Sequence, residues 1–218
     1  LAKDLSGKAA AAGIPAVVSC GIWPGVSALM AAEAVQQLGG PANCERIELS
    51  FFTAGTGGAG PTIVSATFLL LATKVLTYRN GMLTPKEPWT ERRLVDFGVG
   101  VGRHACFLLD NPDVPTTVES LAVANCASRF GTAPAVWNSL FAAMKLLPSD
   151  WLLNRAAMQG LAVVSMPVIR LVDKLVGATN AMRVDGFSKA DVSSGFPEKV
   201  TLRCVCLLYT SPSPRDED

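Results

Sequence analysis

The chain has 218 residues, enough for one domain of ordinary size or for pieces of two. Half of its residues are hydrophobic, 17% are charged and the mean hydropathy is +0.34, which excludes general disorder. The formal net charge is +1 and no cluster of Lys and Arg stands out, so no nucleic-acid partner is expected.

Cysteine and histidine usage gives no sign of a metal site. The six cysteines form neither a CxxC pair nor a zinc-like spacing, and the chain has one histidine. We expect these thiols to be small buried groups in a reducing, intracellular compartment, cytoplasmic or organellar. Residues 1–12 carry three charged side chains and no apolar stretch, so they are not a secretory signal, and an open upstream end is the simpler explanation.

The first elements in chain order predict a crossover unit. Residues 16–20 (AVVSC) form a short apolar run, typical of a parallel strand buried on both faces. The turn Gly21-Ile22-Trp23-Pro24-Gly25 follows, and residues 27–38 have the apolar spacing of a helix that ends at two glycines. Such a strand needs a parallel partner, so we expect its sheet to lie upstream, in a longer protein of which this chain is a fragment.

The periodicity then changes to that of antiparallel structure. Residues 46–51 alternate and predict a half-buried antiparallel strand, and residues 74–79 predict another that ends at a tight Asn-Gly turn. Residues 182–185 and 200–203 predict a closing hairpin across the loop at 186–197.

Helices are predicted at 63–76, from Thr132 onward and at about 149–176. Thr132 before Ala133-Pro134 is a predicted helix start, and a further helical stretch runs from Ser149 to about Val176 with a break near 160–167. The apolar segments 63–76 and 156–169 are too short or interrupted to span a membrane, the second by Pro167. We predict that both are buried core helices and that no transmembrane helix is present, with contact to a membrane surface as the alternative. The predicted fold class is α+β.

Residues 206–218 differ in character from the rest. The stretch CLLYTSPSPRD resembles the translation of a sequencing adapter, whereas a Ser/Pro linker is the alternative by composition. Because it interrupts an alternating strand at Val205, we expect it not to belong to the native fold.

A glycine motif at residues 55–60 (GTGGAG) matches G-x-G-x-x-G between a strand and a helix. No Asp or Glu ends a strand about 20 residues later to hold a ribose, and the preceding strand alternates. A tight loop that packs or lines a site is therefore favoured over a dinucleotide fingerprint. In a second glycine-rich stretch, residues 97–103, Arg103 could pair with a carboxylate or phosphate, although a solvated arginine is the commoner case. No nucleophile elbow or metal-binding helix motif occurs.

Four motifs in order resemble the saccharopine dehydrogenase-like oxidoreductases. They are GIWPGVS at 21–27, FTAGTGGAGPT at 52–62, VDFGVGVGR at 95–103 and RFGTAP at 129–134. The resemblance covers about residues 7–205. It implies the end of a Rossmann domain at 1–40 and a truncated α+β substrate and dimerisation domain, with a mixed or antiparallel sheet, at 41–205.

The same resemblance implies hydride transfer between NADP or NAD and a small molecule. It places the main cofactor motif upstream of this chain, and it puts Gly21, Pro24 and Gly25 beside the cofactor. Thr53, Gly55, Gly57 and Arg103 are the expected substrate-side residues, and no catalytic acid or base is assigned. A homodimer would fit the second domain, whereas substrate identity does not follow.

Two other functional classes remain open from the sequence. A noncatalytic protein of the same fold could bind a lipid or membrane through its apolar helices, and a degraded upstream fingerprint would favour that class. Alternatively, residues 55–60 could themselves bind a nucleotide, in which case this chain alone would bind it.

Overall fold

The computed structural model describes residues 2–15, 20–55, 60–177, 179–189 and 195–207. These residues form a mixed α/β fold in which a mostly antiparallel open sheet packs against helices. In chain order the elements are α1 (Ala2–Ala11), α2 (Val26–Gln37), β1 (Cys44–Ala54), α3 (Pro61–Leu70), β2 (Tyr78–Arg79), β3 (Met82–Leu83), β4 (Arg93–Asp96), β5 (Arg103–Leu108), α4 (Asp113–Leu121), β6 (Cys126–Ala133), α5 (Val136–Met144), α6 (Ser149–Leu152), α7 (Arg155–Val176), β7 (Thr179–Ser188) and β8 (Lys199–Leu207).

The sheet is built around β1. Its path runs β3-β2-β6-β1-β7-β8, and β5 also pairs with β6 and carries β4. β1 is parallel to β6, with Thr53 opposite Thr132, and antiparallel to β7, with Thr53 opposite Asn180. The carboxyl ends of β1 and β6 therefore lie together at one edge of the sheet, beside the start of β7.

Two faces of β1 are covered by different parts of the chain. Ile47, Leu49 and Phe51 are buried in a cluster with α2 and α4. Phe52 is buried on the opposite face with Val95 and other residues of the β4-β5 hairpin, as expected because successive side chains of a strand point to opposite faces. The prediction of a half-buried antiparallel strand at 46–51 is therefore wrong in two respects. The strand is central, and one of its neighbours is parallel.

Local turn chemistry was predicted more successfully. β2 and β3 form a hairpin across Asn80-Gly81, both of which have positive φ angles, 51° and 75°. The strand predicted at 74–79 is shorter in the structure, where β2 covers only Tyr78–Arg79. The described residues just before Tyr78 contribute one isolated bridge, from Val75 to Lys86. β7 and β8 form the predicted closing hairpin, with Val184 opposite Leu202.

Two helix boundaries differ from the prediction. Thr132 lies inside β6, and α5 begins four residues later at Val136, because the strand pairs with β1 as far as Ala133. α7 is one continuous helix that contains Pro167, and its break from α6 lies at residues 153–154 instead of 160–167. The side chain of Asn154 caps α7 by accepting a hydrogen bond from the Ala157 backbone N–H at 3.1 Å.

The prediction that α7 is a buried core helix is wrong for one of its faces. Met158 and Ala162 are fully buried against α3 and α5, whereas Val164, Val168, Leu171 and Leu175 are 76%, 57%, 60% and 78% exposed. Among the described helices, the stretch Arg155–Leu175 is long and apolar enough to cross a membrane, with a mean hydropathy of 1.3 and 22% of it buried. Core helices of globular proteins can pass the same test, so this stretch is no clear membrane span.

Several predictions fall on residues outside the described part. Of the predicted strand at 16–20 only Cys20 is described, so the Rossmann end and the division at residue 40 stay predictions. Gly57 lies in the gap at 56–59. Cys206 and Leu207 pair with β7 as the last residues of β8, and the adapter-like stretch beyond them is not described.

Candidate functional site

An apolar cavity of about 390 Å³ lies where β1 and β6 end and β7 begins. α3, α5 and α7 form its walls, and Ile22 and Trp23 of the turn before α2 close one side. Ligands of open α/β sheets bind at the carboxyl ends of parallel strands, and β1 and β6 are such a pair. This apolar cavity therefore lies where that rule predicts a ligand site.

Three polar side chains from adjacent strands form its floor. The Thr53 hydroxyl donates to Asn180 Oδ1 at 3.2 Å, and the Thr132 hydroxyl donates to the Thr53 carbonyl at 2.9 Å. Asn138 of α5 fixes the end of β6, since its amide accepts from the Thr132 N–H at 3.2 Å and donates to the Thr132 carbonyl at 3.1 Å. Thr53 and Thr132 are buried. The floor is thus held rigidly by its own hydrogen bonds.

The turn at residues 21–25 is held by backbone hydrogen bonds. Gly21 N–H donates to the Pro24 carbonyl at 2.9 Å, and Val26 N–H donates back to the Gly21 carbonyl at 3.0 Å. Gly25 has φ of 142°, a conformation that residues with a Cβ rarely adopt. The Trp23 ring packs on Phe51, with ring centroids 5.4 Å apart, which fixes Trp23 at the cavity.

A buried carboxylate supports this turn from below. Asp113, at the start of α4, accepts hydrogen bonds from the Ser27 hydroxyl and from the Gly25 backbone. Burial raises the pKa of Asp113, and the two hydrogen bonds offset part of that rise. The carboxylate therefore joins the first turns of α2 and α4 and holds the turn that carries Trp23.

The lining of the apolar cavity is uncharged. Ten of the sixteen described lining residues are apolar or aromatic, five carry a hydroxyl or amide, and Gly55 completes the set. The polar ones are Thr53, Thr67, Thr132, Ser165 and Asn180. No described lining residue is ionisable, so any ligand here meets mainly hydrocarbon and aromatic surface.

Five of the predicted site residues lie at or beside the apolar cavity. Thr53 and Gly55 line the apolar cavity. Gly21, Pro24 and Gly25 belong to the adjoining turn, whose residues Ile22 and Trp23 are the ones that line it. The structure therefore brings the predicted cofactor-side turn and two predicted substrate-side residues to one place.

Arg103 lies apart from that group. It is exposed at the start of β5, opposite Asp96 in the β4-β5 hairpin, and does not line the apolar cavity. The residues between them form the glycine-rich turn, closed by the Phe97 N–H that donates to the Gly102 carbonyl at 2.9 Å. The stretch at 97–103 is thus a hairpin turn.

Sequence reasoning missed the wall residues and Asn180. Trp137, Leu140 and Ile169 line the apolar cavity from α5 and α7. Their helical spacing predicts an apolar face but not which cavity that face meets. Asn180 is the second residue of β7 and reaches the site only because β7 pairs with β1. This contact joins distant parts of the chain and leaves no local signal.

A polar cavity of about 410 Å³ lies toward the opposite, amino-terminal ends of β1 and β6. Its centre is Arg129, which is 2% exposed and pairs with Glu48 and, at 3.2 Å, with Glu91. Arg93 also contacts Glu48 at 2.8 Å, and Lys86 contacts Glu91 at 3.4 Å. Arg129, Arg93, Lys86, Glu48 and Glu91 of this polar cavity are thus paired with one another.

Candidate nucleophiles and metal ligands are few in the described part of the chain. Burial raises the pKa of Cys44 to about 11 and that of Cys106 to about 12, which makes both thiols unreactive near neutral pH. Cys20, by contrast, is exposed. No group of three His, Cys, Asp or Glu residues that could hold a metal ion occurs among the described residues.

Comparison with known proteins yields a distant structural similarity. No family model matches the sequence, and no curated protein matches it. Among solved structures, the chain is similar to apo saccharopine dehydrogenase (L-Glu forming) from Saccharomyces cerevisiae, with a TM-score of 0.43 and 9% sequence identity. The similarity covers 83% of this chain and 56% of that one, so the chain spans little more than half of that protein's length.

Proposed function

We propose that this chain is the substrate-side part of a saccharopine dehydrogenase-like oxidoreductase that uses NADP or NAD. The observation that carries the proposal is the apolar cavity, which gathers residues from three of the four motifs of the family resemblance. Trp23 comes from the first, Thr53 and Gly55 from the second, and Phe130 and Thr132 from the fourth. Motifs far apart in sequence that meet at one cavity are expected of a binding site.

In this proposal the two sides of the apolar cavity have different roles. The turn with Gly21, Pro24 and Gly25 faces the nicotinamide cofactor, which is held mainly by residues outside this chain. Thr53 and Gly55 face the substrate, and the family resemblance assigns Gly57, two residues further along the chain, to the same side. Arg103 lies off the cavity and has no part in the proposal. An intracellular location and a homodimer through this domain belong to the same proposal.

The test compares this chain with the full reading frame recovered from genomic sequence. We expect calorimetric titration to show saturable binding of NADPH or NADH by the longer protein at micromolar concentration, and none by the 218-residue chain. Binding by this chain alone would instead assign the nucleotide to residues 55–60. Absence of binding by the longer protein, in a folded state, would contradict the oxidoreductase proposal.

A second candidate function is attachment to a membrane surface, favoured by the exposed face of α7. Val164, Val168, Leu171 and Leu175 are spaced at intervals of four, three and four residues, so they form one stripe along the helix. An exposed apolar stripe on an amphipathic helix is typical of interfacial binding, in which the helix lies in the plane of the headgroups.

Vesicle flotation tests this second function. We expect the chain to float with phosphatidylcholine vesicles and the double variant Val164→Asp/Leu171→Asp to remain at the bottom of the gradient, because charges on the stripe oppose insertion. Leu29→Asp is the matched control, since Leu29 is 71% exposed on α2, away from α7. Equal flotation of the double variant and the control would contradict a role for α7.

A further inference from the structure

We infer that the apolar cavity binds an uncharged, mainly apolar molecule whose polar groups donate hydrogen bonds. This inference deepens the proposed function and rests on it, because it takes the apolar cavity as the substrate site. It also means that the expected substrate is not an amino acid with several carboxylates. Three properties of the cavity support it: the apolar walls, the hydroxyl protons that are already engaged within the protein, and the absence of charge from the described lining.

The walls favour hydrocarbon or aromatic ligands. Trp23, Phe68, Trp137 and Phe141 present ring surfaces from the turn before α2, from α3 and from α5. Transfer of apolar ligand surface from water to such walls is favourable in proportion to the area buried. A volume of about 390 Å³ falls in the range of pockets for drug-sized ligands.

The hydroxyl protons in the cavity are already used by the protein. Thr67 donates to the Ile63 carbonyl at 3.0 Å, and Ser165 donates to the Leu161 carbonyl at 2.7 Å. Thr53 and Thr132 donate within the floor, as described above. Each hydroxyl oxygen keeps a lone pair that can accept a hydrogen bond. A ligand hydroxyl would therefore find acceptors among these hydroxyl groups, whereas a carboxylate, which only accepts, would find no hydroxyl proton among them that is not already engaged.

The described lining supplies no cationic side chain that could compensate an anionic ligand. The described lining residues lack Lys, Arg and His. The residues that adjoin them in sequence across the undescribed gaps, 16–19 (AVVS), 56–59 (TGGA) and 178 (alanine), carry no charged side chain either. An unpaired carboxylate taken into such surroundings loses its hydration without replacement, which costs several kcal/mol or more. Dicarboxylates such as L-glutamate are thus disfavoured as ligands of this cavity.

A matched pair of probes tests the inference. Decane-1,10-diol and decanedioate have the same carbon chain and differ in the charge at both ends. We expect the diol to bind saturably to the purified 218-residue chain, detected by a change in the fluorescence of Trp23 and Trp137, and decanedioate to bind at least about tenfold more weakly. Shorter diols should lose up to about fourfold in affinity for each methylene removed. L-Glutamate should give no signal.

Two lysine variants locate the binding. Thr67 lines the apolar cavity from α3, whereas Thr62 is exposed on the same helix and does not line it. Thr67→Lys should lower the affinity for the diol at least about tenfold and improve the affinity for decanedioate, because it supplies the missing cation. Thr62→Lys should leave both affinities within about twofold. Circular dichroism of each variant checks that the fold is retained.

The outcomes separate this inference from the proposed function. Decanedioate or L-glutamate binding as tightly as the diol, equal effects of the two lysine variants, or absence of saturable diol binding would each overturn the inference. The nicotinamide titration of the longer protein is independent of these results. If the longer protein binds the nicotinamide cofactor but the chain does not bind the diol, the inference of an uncharged ligand is wrong and the oxidoreductase proposal stands. If the chain binds the diol but the longer protein does not bind the cofactor, the oxidoreductase proposal is wrong and the inference about the cavity's ligand stands.

Discussion

The apolar and polar cavities lie toward opposite ends of β1 and β6 and have similar volumes, about 390 Å³ and 410 Å³, but opposite chemistry. The polar cavity contains several ion pairs around the buried Arg129. The apolar cavity has no ionisable group among its described lining residues. The charges around Arg129 thus connect neighbouring parts of the sheet, whereas the described surface available to a ligand at the carboxyl ends of β1 and β6 is uncharged.

The largest expected effect comes from removal of the buried ion pairs in the polar cavity. Arg129→Met removes the cation from between Glu48 and Glu91 and leaves both carboxylates without their buried partner. Loss of one partner of a buried ion pair typically costs about 3–5 kcal/mol. We expect a decrease of that size in the free energy of unfolding, measured by urea denaturation, with diol binding to the apolar cavity retained under native conditions.

Arg93→Met is the control for that measurement. Arg93 also contacts Glu48, but its side chain is 51% exposed, and exposed ion pairs contribute about 0–1 kcal/mol. Equal destabilisation by the two variants would show that the burial of Arg129 does not set its contribution.

The next effect concerns the edge of the apolar cavity. Gly55 has φ of 60°, and a Cβ added there would lie 2.2 Å from Asp173 Oδ1 of α7. Gly55→Ala should therefore lower the free energy of unfolding by about 1–3 kcal/mol through backbone strain and displacement of α7. It should also weaken diol binding, because α7 forms one wall. Both quantities are measured on one preparation, by urea denaturation and by tryptophan fluorescence.

Gly60→Ala provides the comparison within the same glycine motif. Gly60 has φ of −81°, and a Cβ there would meet no atom within 4 Å. The free energy of unfolding of Gly60→Ala should stay within about 0.5 kcal/mol of that of the unsubstituted chain. If Gly60→Ala weakened diol binding as much as Gly55→Ala, contact between Gly55 and α7 would not explain the loss.

Replacement of Thr53 tests how much the floor depends on its hydrogen bond. Thr53→Val removes the donor to Asn180 Oδ1 while it nearly keeps the side-chain shape. A hydrogen bond of this kind contributes about 0.5–1.5 kcal/mol, and we expect a loss of that size in urea denaturation. Diol affinity should stay within about threefold, since the walls provide most of the buried apolar surface. A loss above about tenfold would mean that Thr53 itself orients the ligand.

Local features were predictable from the sequence where a few neighbouring residues determine them. The helix α2, the Asn80-Gly81 hairpin and the β7-β8 pair follow from spacing and turn chemistry within short windows. Thr53 and Gly55 were predicted to be site residues because they stand in a motif at the end of a strand, and both line the apolar cavity. All of these signals are local.

The remaining features depend on contacts between distant segments. The alternation at 46–51 does not reveal that β6 pairs with β1 in parallel, and this pairing makes Thr132 part of a strand instead of a helix start. The apolar stripe of α7 does not reveal whether another element covers it. Asn180 and the walls of the apolar cavity come from helices and strands far apart in sequence. Strand pairing, helix burial and the make-up of the cavity walls depend on packing between segments, and the sequence of a single segment does not encode that packing.

The last expected effect is a pH dependence at Asp113, the carboxyl group below the turn that carries Trp23. Its pKa is raised, chiefly by burial, so the folded chain holds this proton more tightly than the unfolded chain does. The resulting contribution to stability is fully present below the ordinary aspartate pKa of about 3.9 and is lost as pH rises through the folded pKa. Asp113→Asn cannot titrate, and the other carboxylates are common to both proteins. The difference in the free energy of unfolding, original minus variant, should therefore fall as pH rises through that window, by about 1.4 kcal/mol for each unit of pKa shift. Urea denaturation at closely spaced pH values measures this difference. A difference that rises with pH would mean that the fold stabilises Asp113 as an anion. The apolar cavity would then have a stabilised negative charge beside it, and the two ends of β1 and β6 would differ less in charge than the linings of the two cavities indicate.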